Sequence, residues 1–345
     1  MNRCISLAKK GLGNTYPNPM VGAVVVVNNK IVGEGWHRKA GTPHAEVHAL
    51  RTISKEQAKE ATLYVNLEPC AHYGKTPPCC DLVIQKGLKK VVVGSVDPNP
   101  KVAGKGIKAM QQAGIDVILG VQREACLELN KRFYWFHNNK RPYVILKWAE
   151  SADGFIAPEQ QKKGTIYWIS NKYSRQLAHQ WRAEEHAILV GRKTVQQDNP
   201  RLTTRHWPGK NPTRIVIDPE NKIAETAHIK DDAATTVIYN TEVDKKINNV
   251  HWKKVDKNAF LEGLLNDAYK MGIQSILVEG GAKTLEEFLA HQFWNECRIV
   301  RGQKAIKKGV KAPDKPAGKE VEKTIVGDTL QTIRAKTPSV NALDN

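Results

Sequence analysis

The sequence predicts an α/β protein built from two domains. Its 345 residues exceed what one hydrophobic core usually serves. Along most of the chain, short apolar runs typical of strands alternate with segments whose apolar residues have helical spacing. The polar segment 137–142 (HNNKRP) interrupts this alternation and ends in proline. We therefore place one domain at 1–139 and a second at 142–345.

The first domain should contain a sheet flanked by helices. Its first strand, at 21–27, ends at the turn signal Asn28-Asn29, after which 31–32 would supply the partner strand of a hairpin. Further strands are predicted at 62–65, 91–93 and 115–119, and helices at 46–53, 79–86, 106–112 and 123–136.

The second domain repeats the alternation. A helix is predicted at 173–182, and strands are predicted at 143–148, 187–190, 214–217, 236–239 and 275–278. Near the end of the chain we predict a strand at 324–326 and pair it with 332–334.

Composition narrows the class of protein. No apolar run approaches the ~18–20 residues that span a bilayer. The N-terminus lacks the long apolar stretch of a signal peptide, so we expect a cytoplasmic protein. A formal net charge of +18 favours anionic partners, but charge alone does not separate phosphorylated metabolites from nucleic acid.

Two short segments suit zinc-dependent deamination: TPHAE, which contains His44, and EPCAHYGKTPPC at 68–79. A zinc-bound water is a strong nucleophile at neutral pH because the metal lowers its pKa to about 7. One histidine and two cysteine thiolates would neutralise the dication and leave one position open for that water. The predicted ligands are His44, Cys70 and one of two adjacent cysteines, Cys79 or Cys80.

Glu46, two residues after the histidine, is the predicted proton carrier. It would take a proton from the zinc-bound water and deliver it to the ring nitrogen and the departing amine. His44 and Glu46 converge if both lie in the first turn of a helix. Thr42 is a suitable N-cap for that helix, and Pro43 a suitable first residue. Two helix N-termini facing one metal would also favour thiolate over thiol.

The spacing matches the zinc-deaminase signature only in part. H-x-E is present at 44–46, but the signature continues with P-C-x-x-C, whereas eight residues separate Cys70 from Cys79. A metalloprotease-like pair of His44 with His48 would need glutamate directly after the first histidine, and alanine stands there. We therefore expect a deaminase with an unusually long cysteine loop.

Four motifs make the sequence similar to the bifunctional riboflavin-biosynthesis deaminase/reductase family over nearly its whole length: 17–22 (PNPMVG), 44–50 (HAEVHAL), 68–79 and 97–106 (DPNPKVAGKG). The family usually shows the same gap between its cysteines. The resemblance implies a cytidine-deaminase-like three-layer α/β/α domain followed by a dihydrofolate-reductase-like α/β domain. It also implies one Zn2+ per chain, with Cys79 as the third ligand.

The resemblance implies a substrate for the first domain, a diaminopyrimidinone that carries a ribosylamino group with a 5′-phosphate. Hydrolysis would remove one ring amine, with Glu46 as the catalytic residue. Amides and carboxylates pair with ring edges, and lysine pairs with phosphate. The family positions that hold this substrate are occupied by Asn18, His72, Lys75, Asp97 and Asn99.

In the second domain, segments 147–154 (KWAESADG), 194–200 (TVQQDNP) and 279–285 (EGGAKTL) resemble the family's NADPH-dependent reductase. The glycine pair between a strand and a helix would let backbone amides approach a phosphate, but it is not the G-x-G-x-x-G dinucleotide fingerprint. By family position, the cofactor contacts are Ala149, Trp168, Ser170, Thr194, Asp198, Gly281, Ala282, Lys283, Thr284, Leu285, Glu286 and Glu287.

The implied reduction adds a hydride to C1′ of the sugar through its open-chain imine, and arginines would suit the 5′-phosphate. A further hypothesis is that Lys147 and Asp153 steady the polarised imine. The resemblance also implies a homo-oligomer whose partners are the phosphorylated pyrimidine and NADPH, without nucleic acid or membrane. By family position, the reductase substrate contacts are Ile166, Arg182, Leu202, Arg205 and Glu279.

Two other functions remain open from the sequence. One is a zinc deaminase acting on RNA or nucleosides, with a basic C-terminal binding domain. The reductase resemblance along the second domain argues against it. The other is a degenerate protein that has lost one activity and serves as a scaffold, against which the intact His44, Glu46 and Cys70 argue.

Overall fold

Each half of the chain forms a sheet of its own. A computed structural model describes residues 1–73, 77–100 and 102–336. The chain divides into two compact units, Met1–Lys140 and Arg141–Asn345. Within the described part of the chain, no helix has both the length and the apolar character needed to cross a membrane.

The first unit contains one five-stranded sheet and the helices that cover it. The strands are β1 (Gly22–Val27), β2 (Lys30–Trp36), β3 (Thr62–Val65), β4 (Lys90–Val93) and β5 (Asp116–Leu119). The helices are α1 (Asn2–Ala8), α2 (Ala45–Leu50), α3 (Lys55–Ala58), α4 (Cys79–Lys86), α5 (Lys105–Gln112), α6 (Arg123–Leu129) and α7 (Lys131–Asn139).

The sheet has the order β2-β1-β3-β4-β5. β1 runs antiparallel to β2 and β3, which confirms the predicted hairpin, whereas β3, β4 and β5 are parallel. Alternate residues of β1 face opposite sides of the sheet. Ala23 and Val25 pack with α2, α4 and α5, while Val24 packs with Cys4 and Leu7 of α1. Helices on both faces give the predicted three layers.

Two glycines of β2 allow α2 to lie directly against the sheet. A Cβ added at Gly33 would come within 2.1 Å of the Ala49 carbonyl oxygen. A Cβ added at Gly35 would come within 2.3 Å of the His48 Cβ. These positions require glycine because the helix backbone occupies the space of a side chain. The close approach fixes the position of α2, which carries Glu46.

The helix predicted at 123–136 is interrupted, so that α6 and α7 meet at Asn130. Asn130 has φ −103° and ψ 25°, and its side chain is buried. Its amide oxygen accepts the N–H of Met20 at 2.8 Å, and its amide nitrogen donates to the Met20 carbonyl at 2.9 Å. The break therefore results from a tertiary contact that helical spacing does not reveal.

The second unit contains a ten-stranded sheet and a separate strand pair. The strands are β6 (Tyr143–Glu150), β7 (Phe155–Pro158), β8 (Ala187–Gly191), β9 (Thr213–Ile217), β10 (Thr236–Asn240), β11 (Lys245–Ile247), β12 (Val250–Lys254), β13 (Ser275–Val278), β14 (Glu296–Arg301), β15 (Gly309–Lys311), β16 (Lys319–Ile325) and β17 (Asp328–Arg334). The helices are α8 (Lys172–Glu184), α9 (Arg192–Asp198), α10 (Phe260–Lys270) and α11 (Ala282–Ala290).

The large sheet has the order β11-β12-β10-β9-β8-β13-β6-β14-β17-β16, and β7 pairs with β15. From β12 to β14 the strands are parallel. Successive residues of β8 enter two different cores: Ala187 and Leu189 pack on one face, and Ile188 and Val190 on the other. The parallel strands are therefore buried on both faces, as their continuous apolar runs indicate.

Five strands of this unit have no counterpart in the sequence prediction: β7, β11, β12, β14 and β15. The reason is clearest for β14, whose sequence ECRIVR carries charges at buried positions. Arg298 is buried there with Glu296 and Glu185, at 2.7 and 3.5 Å. Paired charges thus replace the apolar pattern by which a buried strand is normally recognised.

The C-terminal hairpin confirms the predicted pairing of two strands but not its register. Thr324 pairs with Thr329, and Thr332 pairs with Val321. Val326 and Gly327 form the turn, with φ of 44° and 90°. Two positive φ values are typical of the tight turn that matches the twist of a hairpin. The predicted strand at 324–326 therefore ends one residue too late and pairs nearer to the turn than expected.

Asn130→Ala should destabilise the first unit by about 2–3 kcal/mol, because it removes the partner of a buried backbone N–H. Urea denaturation would measure the change. The matched control is Asn139→Ala, since the exposed Asn139 amide donates to the Trp135 carbonyl within α7. The control should stay within about 0.5 kcal/mol of the parent protein. Equal free energies of unfolding for the two variants would contradict a stabilising role of the hydrogen bonds between Asn130 and Met20.

Candidate metal centre and reductase site

Three potential metal ligands meet in the first unit. The Nδ1 of His44 and the Sγ atoms of Cys70 and Cys79 all lie within 4.8 Å of one another. His44 Nδ1 is 3.2 Å from Cys79 Sγ and 3.6 Å from Cys70 Sγ. Ligands at usual zinc distances in a tetrahedron lie roughly 3.3–3.8 Å apart, so one ion fits between these atoms.

The starts of two helices bring these ligands together. His44 is the N-cap of α2, and Cys79 is the first residue of α4. The backbone N–H of Cys79 donates to Cys70 Sγ at 3.3 Å. The predicted N-cap at Thr42 is wrong, because α2 begins later and the Thr42 hydroxyl donates to the Lys39 carbonyl at 2.7 Å.

The thiols of Cys70 and Cys79 differ in pKa because one donates a hydrogen bond to the other. A hydrogen bond from the Cys79 thiol, helped by His44, lowers the pKa of Cys70. The same hydrogen bond to Cys70 raises the pKa of the Cys79 thiol. Zinc requires both sulfurs as thiolates, so metal binding releases a proton from the pair.

Glu46 is buried next to these ligands. Its side chain is 3% exposed, and its Oε2 atom has no hydrogen-bond partner among the described residues. Burial raises the pKa of Glu46 to about 7, and the negative charge of Cys70 adds to that effect. A carboxyl group that titrates near neutrality and keeps one oxygen free is suited to moving protons.

Cys80 and His48 lie outside this cluster. Cys80 packs in the apolar core with Val83, and its Sγ is 3.4 Å from Asp81 Oδ1. Adjacent residues of a helix differ in direction by about 100°, so only one of the two cysteines can face Cys70. In the described residues that residue is Cys79.

Sequence reasoning missed His37, which lies beside the metal ligands. His37 is buried, and its ring meets that of His44 edge to face at 5.1 Å between centroids. Its Nδ1 donates to the Pro43 carbonyl at 3.3 Å, so its Nε2 accepts from Asn18 Nδ2 at 3.1 Å. The Asn18 amide oxygen is thereby directed away from His37. No spacing pattern in the sequence marks a lone histidine for this role.

The predicted substrate residues of this unit have different surroundings. Burial, together with the charges of Glu68 and Cys70, raises the pKa of Asp97 to about 7. Asp97 Oδ1 accepts the N–H of Asn99 at 2.8 Å. His72 is exposed. Lys75 lies outside the described residues.

In the second unit, Arg182 and Glu279 form a buried ion pair. Arg182 donates to both carboxylate oxygens of Glu279, at 2.9 and 2.6 Å, and to the Thr203 carbonyl at 3.2 Å. Burial alone would raise the pKa of Glu279, but Arg182 and Lys147 lower it to about 2. Burial lowers the pKa of the Lys147 ammonium.

The carboxylate of Asp153 has structural partners of its own. It accepts the Ser151 hydroxyl at 2.6 Å and the backbone N–H groups of Ile306 and Lys307 at 3.0 and 2.7 Å. Asp153 therefore ties a loop together, whereas the charge of Lys147, the other residue suggested for the imine, acts on Glu279 and lowers its pKa.

Two strand–helix turns of the second unit lie against each other. A Cβ at Gly191 would come within 2.4 Å of Thr284 Oγ1, and one at Gly281 within 3.3 Å of Thr194 Oγ1. Gly281 has φ 57° and is the N-cap of α11, a nine-residue helix without a side-chain cap. Its first N–H groups are thus available to a phosphate. The predicted cofactor residues Thr194, Gly281 and Thr284 are brought together here.

The remaining predicted residues of the second unit differ in how far they are buried. Leu285 and Leu202 are buried in apolar cores, and Leu202 has the unusual φ of 54°. Asp198 accepts from Gln161 at 3.2 Å, and burial raises its pKa. The exposed or half-buried residues are Ala149, Ile166, Trp168, Ser170, Ala282, Lys283, Glu286, Glu287 and Arg205.

Comparison with known families agrees with this division of the chain. Residues 1–95 match the model of the cytidine and deoxycytidylate deaminase zinc-binding region. Residues 142–306 match the model of the RibD C-terminal domain.

Curated proteins and solved structures resemble the chain along most of its length. Riboflavin biosynthesis protein RibD of Aquifex aeolicus is 43% identical over 320 residues, covering 91% of this chain and 89% of the relative. The Escherichia coli protein of that name is 40% identical over 303 residues, covering 81% and 80%. A deaminase/reductase structure from Thermotoga maritima superposes with a TM-score of 0.88 at 37% identity, covering 97% of each chain. Acinetobacter baumannii RibD gives a TM-score of 0.86 at 32% identity, covering 96% of this chain and 97% of that one.

Substitution of Cys79 and substitution of Cys80 should have different effects on the zinc content of the protein. Metal analysis of the purified protein should find about one zinc per chain. Cys79→Ala should lose it, because two of three protein ligands hold zinc too weakly. Cys80→Ala is the matched control and should retain it. Retention by the first variant together with loss by the second would show that Cys80 is the ligand.

Proposed function

Because the chain belongs to the RibD family of bifunctional deaminase/reductases in riboflavin biosynthesis, we propose that it catalyses two successive steps on one phosphorylated pyrimidine. The substrate is 2,5-diamino-6-(5-phosphoribosylamino)pyrimidin-4(3H)-one, and the product is 5-amino-6-(5-phosphoribitylamino)uracil. The observation that carries the proposal is the cluster of His44, Cys70 and Cys79 beside a buried Glu46, in a chain whose second half is a RibD reductase domain. We assign deamination to 1–139 and reduction to 142–345.

In deamination, we assign zinc binding to His44, Cys70 and Cys79 and proton transfer to Glu46. A bound zinc ion supplies a nucleophilic water at neutral pH. Glu46 takes one proton from the attacking water and gives it to the ring nitrogen, and it then takes the remaining hydroxyl proton and gives it to the departing amine, which leaves as ammonia. Its free Oε2 atom and a pKa of about 7 support this role, because such a group can both accept and donate near neutrality.

The substrate ring of the deaminase is held by polar side chains around the metal ligands. Asn18 presents its amide oxygen, because His37 occupies the amide nitrogen. Asp97 and Asn99 contact the amide edge of the ring, and His72 and Lys75 contact the remainder of the substrate, with Lys75 on the phosphate.

In reduction, NADPH supplies the hydride when bound. The N–H groups at the start of α11 hold its phosphates, together with Thr194 and Thr284. The other cofactor contacts that we assign are Ala149, Trp168, Ser170, Asp198, Gly281, Ala282, Lys283, Leu285, Glu286 and Glu287.

Charged groups orient the sugar for reduction. Arg182 is already bonded to both oxygens of Glu279, so Arg205, which is exposed, is the better candidate for the 5′-phosphate. Arg182 and Glu279 contact the substrate as a pair, and Lys147, whose charge lowers the pKa of Glu279, steadies the polarised imine. Ile166 and Leu202 complete the substrate contacts.

The proposal also includes a cytoplasmic homo-oligomer without a nucleic-acid partner. The net charge of +18 favours anionic ligands, and the phosphorylated substrate and NADPH of this proposal are anionic. Light scattering would give the oligomeric state. RNA binding that is weak and lost with added salt, without deamination of the RNA, would remove the alternative function.

The decisive assay supplies the diaminopyrimidinone phosphate with and without NADPH. Ammonia release should proceed in both cases, while cofactor oxidation should require the deaminated intermediate. Cofactor oxidation without any ammonia release would contradict the proposed order of steps.

Glu46→Gln should retain zinc yet lower the rate of ammonia release by roughly 10²–10⁴-fold, since a neutral amide cannot carry protons. Reduction of separately supplied intermediate should be unaffected. Glu56→Gln, which alters an exposed carboxylate of the same unit, is the control. A Glu46→Gln enzyme that releases ammonia at the parental rate would rule out the proton-carrier role.

Arg182→Gln should impair reduction by roughly 10²-fold or more and spare deamination. The substitution leaves the Glu279 carboxylate without its main partner at the proposed substrate site of the reductase. The control is Arg201→Gln, which removes an exposed pair with Asp231. Parallel measurement of ammonia and NADPH oxidation tests this, and equal loss of both activities would argue against separate sites.

A further inference from the structure

Glu68 is a buried carboxylate that accepts four backbone N–H groups. Its Oε2 atom accepts the N–H of Asp97 at 3.2 Å and that of Gly104 at 2.9 Å. Its Oε1 atom accepts the N–H of Gly106 at 3.0 Å and that of Ile107 at 3.3 Å. The side chain is 3% exposed. Each oxygen thus receives two donors, which uses all of its lone pairs.

The four donors stand at the two ends of one loop. Asp97 opens the loop, while Gly104 is the N-cap of α5 and the other two donors lie in its first turn. Gly104 has φ 76° and offers no side chain to cap the helix. A carboxylate from 36 residues earlier in the chain therefore does the work of a cap. An ordinary cap, serine or aspartate at position 104, would hold only the helix end.

The first turn of α5 is pressed against the segment that carries Glu68. A Cβ added at Gly106 would lie 2.2 Å from the Pro69 carbonyl oxygen and 3.4 Å from Glu68 Oε1. The backbone N–H of Glu68 in turn donates to the Ser95 carbonyl at 2.9 Å. Hydrogen bonds therefore join the 68–70 segment to both ends of the loop.

We propose that Glu68 is a positioning residue for deamination, which holds the loop bearing Asp97 and Asn99 at a fixed place relative to Cys70. Cys70 follows Glu68 by two residues, so the proposed metal ligand and Glu68 belong to the same short stretch of backbone. Asn99 is bonded through its N–H to Asp97, so fixing one orients the other. The inference rests on the proposed function of Asp97 and Asn99 as substrate contacts.

The consequence is a link between substrate affinity and a residue that touches no substrate. In Glu68→Gln, one oxygen becomes an NH2 group, and either orientation of the amide sets that NH2 against two N–H donors. The loop must then move. KM for deamination should rise at least about ten-fold with a smaller change in kcat, while zinc remains at one per chain and reduction of supplied intermediate is unchanged.

The matched control is Glu34→Gln, the same substitution in the same unit at an exposed pair with Arg3. It should leave KM unchanged. A folded Glu68→Gln enzyme with parental KM, or one that loses only thermal stability or zinc, would overturn the inference and leave Glu68 as a structural cap. If Glu68→Gln does not fold, Glu68→Asp keeps the charge with a shorter reach, and a folded Glu68→Asp enzyme with parental KM overturns the inference equally.

Asp97→Asn separates this inference from the function on which it rests. A raised KM in Asp97→Asn with an unchanged KM in Glu68→Gln defeats only the positioning role. An unchanged KM in Asp97→Asn defeats the substrate role of the loop and the inference with it. Increases in both variants support both assignments.

Discussion

The deaminase centre depends on the N-termini of two helices, α2 and α4, which bring His44 and Cys79 together. His44 precedes α2 and Cys79 opens α4, so each helix places one potential metal ligand at its N-terminus. The first N–H groups of a helix lack partners within it and favour negative charge. One of them bonds directly to Cys70 Sγ. The fold therefore stabilises the sulfur charge before any metal is present, and it holds Glu46 in the adjoining turn.

Two buried glutamates illustrate how surroundings decide the role of one side chain. For Glu46, burial outweighs the opposing charge of His44 and brings its pKa to about 7, so it can exchange protons. The Glu279 side chain is also largely buried, but Arg182 and Lys147 keep its pKa near 2. It is therefore a permanent anion that orients cations. The first group suits hydrolysis with proton transfer, and the second suits the alignment of a substrate that receives a hydride.

Much of the fold follows from the sequence because apolar runs lie between turn signals. The strand at 62–65 and the helix at 79–86 have the predicted bounds. Local patterns fail where a distant partner decides. Asn130 breaks a helix through a residue far away in sequence, and charged β14 is buried because its charges are paired. Spacing suggests the candidate ligand types and Glu46, whereas the position of Cys79 rather than Cys80 beside Cys70 depends on helix rotation, which spacing does not report.

The bond between Asn130 and Met20 joins residues 110 positions apart. During synthesis on the ribosome, Met20 emerges long before Asn130. The backbone N–H and carbonyl of Met20 therefore remain hydrogen-bonded to water until α6 and α7 have been made. These two hydrogen bonds can form only after α6 and α7 are available, near the moment at which the chain begins to deliver the second unit. A truncation before 130 would therefore remove them without removing a potential metal ligand.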